Sequence, residues 1–129
     1  MRIPIIGNGD ITTPEQAHKC FERYGVDAIM VGRATFGRPW IFREIRNYLN
    51  GKEELLTNDW KLNVLKQQVI TSVERLGEYR GILHSRRHLA ASPLFKGISN
   101  FRETRIRMLR AETVEELFDI MDAVRPILL

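Results

Sequence analysis

The sequence predicts an α/β unit followed by an all-α unit, on three observations. The short apolar runs Ile3–Ile6 and Ala28–Val31 each stop on a glycine-bearing turn, and a helical pattern lies between them. Beyond residue 52 no strand pattern recurs, while apolar residues continue at helical spacing. Strand, helix and strand in such a short stretch make one βαβ unit with a right-handed crossover. Both glycine-bearing turns then lie at the carboxyl edge of the sheet, where α/β folds place their ligands. Two strands are not a whole parallel sheet, so the chain is expected to be a fragment or to complete its sheet with another copy.

Each helix has its own signals. Thr13 as cap, Pro14 at the first helical position and Gln16 closing a capping box start a helix that runs to about Tyr24 and stops at Gly25. Its expected inward stripe is Ala17, Cys20, Phe21 and Tyr24, with Cys20 a packing residue rather than a nucleophile. A second helix, about Pro39 to Leu49, presents Trp40, Ile41, Ile45, Tyr48 and Leu49 and ends near Gly51. After the polar stretch Lys52–Asn58, Leu62, Leu65, Val69, Val73 and Leu76 form one face of a helix over about Asp59–Tyr79, with Gly77 and Gly81 at its frayed end. Further helices are expected over about Ile82–Ala91 and Ser99–Arg110, separated by Pro93. The last begins at a Thr113–Glu116 capping box and ends near Val124. The expected domains are therefore 1–52, α/β, and 53–129, a small antiparallel helical bundle.

Composition bounds the function. The chain has 129 residues, 43% of them hydrophobic and 28% charged, as in a globular domain. No apolar run is long enough for a membrane span and no signal-peptide pattern opens the chain, so a cytoplasmic location is expected. The single cysteine, Cys20, fits a reducing compartment. The net charge of +4 conceals a strong segregation: residues 75–110 carry nine cations, eight of them arginine, against two carboxylates. Residues 111–129 carry five carboxylates against one cation. A basic block of this kind points to a polyanionic partner.

Two constellations carry chemistry. Gly7-Asn8-Gly9-Asp10 and Gly32-Arg33-Ala34 end consecutive strands of one βαβ unit. Their glycines allow close approach to the backbone, Asn8 offers a hydrogen-bonding amide and Arg33 a guanidinium, a pairing suited to a phosphate. Either turn alone reads equally as an ordinary strand-to-helix connection. In the basic block, Arg86, Arg87 and His88 form one cluster with His84, and Arg102, Arg105, Arg107 and Arg110 another, with Lys96 between. The plainer alternative is a solvated surface whose arginine stems cover apolar neighbours. His84 and His88 stand four residues apart with no third ligand, so no metal site is expected.

Pro4-Ile-Ile-Gly-Asn-Gly-Asp-Ile11, Gly25-Val-Asp-Ala-Ile-Met-Val-Gly-Arg-Ala34 and Gly37-Arg-Pro-Trp-Ile-Phe42 together closely resemble the last third of the tRNA-dihydrouridine synthases. The likeness continues more loosely through Arg86-Arg87-His88 and Phe101-Arg102. It implies that the two strands are the seventh and eighth of a TIM barrel, making the chain a C-terminal fragment of that barrel followed by a helical tRNA-binding domain. Asn8, Gly9, Asp10, Gly32 and Arg33 then map to contacts with FMN, the backbone amides of Gly32 and Arg33 holding its phosphate. In that family FMN, reduced by NAD(P)H, serves to reduce the C5–C6 bond of a uridine in tRNA. Arg86, Arg87, His88, Lys96, Arg102 and Arg105 become the RNA-binding candidates.

The resemblance also implies absences. A complete barrel takes about 250 residues, and the family's protonating cysteine lies on an earlier barrel loop that Cys20 does not match. The chain alone is expected to lack synthase activity, to bind FMN weakly or not at all, and to dimerise or exchange segments through its open sheet edge. Two other readings remain: a stand-alone RNA-binding module, and a phosphate-binding part of another FMN-dependent TIM-barrel oxidoreductase.

Overall fold

The computed structural model describes residues 3–128. The chain divides into two compact units, Met1–Leu55 and Leu56–Leu129.

In the first unit β1 (Ile6–Gly7) and β2 (Ala28–Ile29) pair in parallel, with Ile6 opposite Ala28 and Gly7 opposite Ile29. Both are shorter than the expected Ile3–Ile6 and Ala28–Val31, and β1 lies later. Among the described residues each strand has one neighbour, so the ladder persists only where the two strands run side by side. Ala28 N–H donates to Ile5 O at 3.2 Å and Met30 N–H to Gly7 O at 2.8 Å. The Asp27 carboxylate accepts from Ile5 N–H at 2.8 Å and closes the entrance to the pair.

Helices α1 (Pro14–Tyr24) and α2 (Ile41–Leu49) cover one face of these strands. Ile11, Ala17, Ile41 and Ile45 are buried there, with Cys20, Ile29, Val31 and Ala34 packed against them. Gly7 is required by this packing, because a Cβ on it would lie 2.7 Å from Cys20 Sγ. The stripe of α1 is narrower than expected: Tyr24 is 68% exposed, and Tyr48 and Leu49 of α2 are also exposed. On the opposite face of the strands Ile6 and Met30 are exposed, and Ile3, upstream, is 79% exposed.

Thr13 caps α1 by accepting from Gln16 N–H at 3.2 Å. The Gln16 side chain returns not to Thr13 but to Thr12, accepting from its N–H at 2.7 Å and from its hydroxyl at 2.9 Å. The expected box therefore closes one residue earlier. The same displacement occurs in the second unit, where Glu116 Oε2 accepts from Glu112 N–H at 3.4 Å while Thr113 accepts from Glu116 N–H.

The second unit consists of α3 (Asn58–Leu76), α4 (Glu78–Ala91), a 3-10 turn at Pro93–Phe95, α5 (Arg102–Arg110), α6 (Val114–Val124) and a 3-10 turn at Arg125–Leu128. Thr57, not singled out in the sequence, caps α3 by accepting from Trp60 N–H at 3.1 Å. Helix α3 breaks at Gly77 and α4 begins at once, so Gly81 is not part of a frayed end. It is buried inside α4, where a Cβ would lie 2.6 Å from Val73 Cα. The absent side chain lets the backbones of α3 and α4 approach closely, which is where the expected boundary went wrong. Leu62, Leu65 and Val69 of α3, Leu89 of α4, Met108 of α5 and Leu117 and Met121 of α6 supply the core. Leu76 is exposed. Among the described residues no helix is long and apolar enough to cross a membrane.

Candidate functional site

Two turns leave the carboxyl ends of β1 and β2 on the same edge. After β1 the chain turns through Gly9 and Asp10, whose φ of 51° is left-handed, and buried Ile11 then anchors it. After β2, Gly32 leads into a 3-10 turn at Arg33–Thr35, closed where Gly32 O accepts from Thr35 N–H at 3.0 Å and from its hydroxyl at 2.7 Å. A turn of this type leaves the amides of its first residues without partners inside the turn. Arg33 reaches across and its guanidinium pairs with the Asp10 carboxylate, both side chains being largely exposed.

Between the turns lies a cleft of about 340 Å³ lined by Asn8, Gly9, Asp10, Ile11, Thr12, Gly32, Arg33 and Ala34. All five residues singled out as cofactor contacts line it. A Cβ on Gly9 or Gly32 would meet nothing within 4 Å. The bare backbone at these positions therefore faces open space that a side chain would fill, and the charge beside it is a guanidinium able to hold an oxyanion through two N–H groups.

Sequence reasoning missed Arg38. Its Nε and Nη2 donate to Glu44 Oε1 and Oε2 at 3.1 and 3.2 Å, and its Nη1 donates to Thr12 O at 3.1 Å. The spacing of Arg38 and Glu44 across the start of α2 gave no recognisable pattern.

In the second unit the basic residues divide into two kinds. Arg86 of α4 is half-buried and donates to Ala111 O, at the C-cap of α5, at 3.4 Å, and its Nε is buried without a partner. Arg105 of α5 donates to Ala90 O, in the last turn of α4. Each helix thus lends a guanidinium to carbonyls at the other's C-terminal end, where such groups are unpaired within the helix. Arg87, Lys96 and Arg102 are exposed, as are Arg107 and Arg110. The rings of Phe95 and Phe101 stack at 5.6 Å and brace the segment that presents Lys96. The His88 ring lies 5.5 Å from that of His84. Burial first, then the charges of His84 and Arg87, hold the His88 pKa below its ordinary value. Among the described residues no group of three or more histidines, cysteines or carboxylates could hold a metal ion.

A parallel βαβ unit whose glycine-bearing turns open on one cleft is the arrangement in which α/β folds take ligands at strand carboxyl ends. The family model described as dihydrouridine synthase (Dus) matches residues 1–125, and the chain belongs to this family. It is 34% identical over 122 residues to tRNA-dihydrouridine synthase B of Shewanella oneidensis, covering 93% of this chain and 37% of that protein. It is 44% identical over 92 residues to tRNA-dihydrouridine synthase B of Salmonella typhimurium, covering 68% and 28%. The protein of the same name from Pseudomonas aeruginosa is 58% identical over 53 residues, covering 41% and 16%. The matched stretch thus spans between 16% and 37% of the length of these curated relatives.

Proposed function

We propose that the chain supplies the last two βα units of an FMN-binding TIM barrel, together with the helical tRNA-binding domain, of a tRNA-dihydrouridine synthase. The observation that carries this reading is the single cleft shared by the two glycine-bearing turns, in a chain of this family. Its residues suit a flavin phosphate: Gly9 and Gly32 leave backbone exposed toward the cleft, and Arg33 supplies the cation. Asp10 orients Arg33 through their ion pair, and Asn8 offers an amide to a ligand hydroxyl or heteroatom. When bound, FMN supplies the hydride chemistry that reduces the C5–C6 bond of uridine, drawing electrons from NAD(P)H.

Cys20 has no part in that chemistry. It packs against Gly7 on the helix-covered face of the strands, so the proton donor to the uracil belongs to another part of the complete barrel. The exposed Ile3, Ile6 and Met30 form the surface that the remaining strands cover. By itself the chain has no synthase activity, holds FMN weakly, and self-associates through that surface.

The test is a hybrid in which residues 1–129 replace the matching C-terminal part of the Shewanella oneidensis enzyme. The hybrid is expected to purify with a flavin absorption spectrum and to form dihydrouridine in tRNA, while Arg33→Ala in it lowers flavin content. A folded hybrid that takes up no flavin would overturn the reading.

A further inference from the structure

We infer that Arg38 is a positioning residue that sets the spacing of the two glycine-bearing turns, an inference that rests on the phosphate reading above. Its guanidinium joins two parts of the first unit. A two-pronged ion pair holds it to Glu44 in the first turn of α2, and the third nitrogen donates to Thr12 O. Thr12 is itself fixed from the other side, its N–H and hydroxyl both donating to Gln16 Oε1.

The chain leaving the first turn is therefore tied to α1 through Gln16 and to α2 through Arg38. The end of the second turn is tied to the same residue through the backbone, since Arg38 N–H donates to Thr35 O at 3.1 Å and the 3-10 turn at Arg33–Thr35 is built on Gly32 O. Three other links span the turns among the described residues: the two-residue ladder of β1 and β2, the exposed Arg33–Asp10 pair, and the packing of Val31 and Ala34 against the buried cluster that includes Ile11. A two-residue ladder is short, and an exposed ion pair holds little. The Arg38 and Glu44 side chains are only 26% and 28% exposed, and a fork with both carboxylate oxygens fixes direction as well as distance. Lysine keeps the charge but cannot hold Glu44 and Thr12 at once in that geometry.

The experiment follows backbone amide resonances of the 129-residue chain during titration with inorganic phosphate, in wild type, Arg38→Lys and Glu44→Gln. In the wild type, Gly9 and Gly32 are expected to shift along one common binding curve. In Arg38→Lys the affinity should fall about three- to ten-fold, with the two glycines no longer sharing a curve while dispersed resonances of α1 and α2 report an intact fold. Glu44→Gln, which retains a neutral acceptor of the same shape, should change affinity in the same direction by less. Wild-type binding that Arg38→Lys leaves undiminished, with one shared curve, overturns the positioning role alone. Absence of phosphate shifts already in the wild type overturns the phosphate reading, and the role with it.

Discussion

Gly7 shows how one missing side chain ties the strand to the helix that covers it. With Cys20 Sγ 2.7 Å from where a Cβ would sit and the Val26 methyls at 3.2 and 3.3 Å, Gly7→Ala must displace the Cys20 thiol or the helix that carries it. The expected cost is about 1–3 kcal/mol, read as a lower urea midpoint at unchanged slope. Cys20→Ala removes the nearest atom, so the double variant should recover part of the loss; strictly additive effects would show that the two positions do not meet. At this scale the sequence was legible where a residue's type forces its environment. The glycine-bearing turns and the Thr13 and Thr113 caps were read from residue identity and spacing. Arginine is not forced in this way, because one side chain serves solvent, RNA or a carbonyl equally well. Arg86, Arg105 and Arg38 all turn out to grip backbone carbonyls of distant elements, contacts that arise only when the elements are packed.

At the scale of elements, helix α4 joins a buried face to a charged one, and His88 sits between. Burial, reinforced by His84 and Arg87, depresses its pKa in the folded chain, so the unfolded chain binds the proton more readily. Above the unfolded value of about 6.5 the group is neutral in both states and has no effect on the folding equilibrium. As the pH falls below that value the unfolded state gains protons that the folded state resists, and stability is lost. His88→Gln removes this term. Its melting temperature relative to wild type should therefore rise between pH 7.5 and pH 5.5, and a difference that stays flat or falls would contradict the assignment. The strand and helix types of the chain were legible from periodicity, but their ends were not. Gly81 read as a helix terminus because glycine usually marks one, whereas its function in α4 is close approach to Val73, a relation between two helices that no single-helix pattern encodes. The strands shortened for a related reason, since ladder length depends on neighbours as well as on apolar content.

For the molecule as a whole, the segregation of charge along the sequence becomes a division of labour among cations. The acidic C-terminal stretch is partly neutralised internally. Asp122 pairs with Lys66 and Arg125, and Arg125 also pairs with Asp59, contacts that hold the Asp122 carboxyl below its usual range. The basic block has no such neutralisation through Arg86 and Arg105, whose carbonyl partners carry no charge. Those two guanidiniums add to the positive field around the second unit while bracing the helix ends, Arg86 half-buried and Arg105 exposed. On the proposed reading, the exposed Arg102 and Arg107 on α5 are the cations expected to meet phosphates one by one. Each phosphate neutralised contributes about 0.9 to the slope of log affinity against log salt on duplex nucleic acid, and about 0.7 on single strands. Arg102→Ala with Arg107→Ala should therefore reduce the slope for tRNA binding to the 129-residue chain by about 1.4–1.8, measured by filter binding between 50 and 200 mM salt. Arg86→Lys, which keeps the charge but weakens the brace to Ala111 O, should lower the melting temperature and leave the slope unchanged. If the slope instead followed Arg86 and ignored the α5 pair, the RNA would lie against α4, and the carbonyl brace would have to open for it to bind.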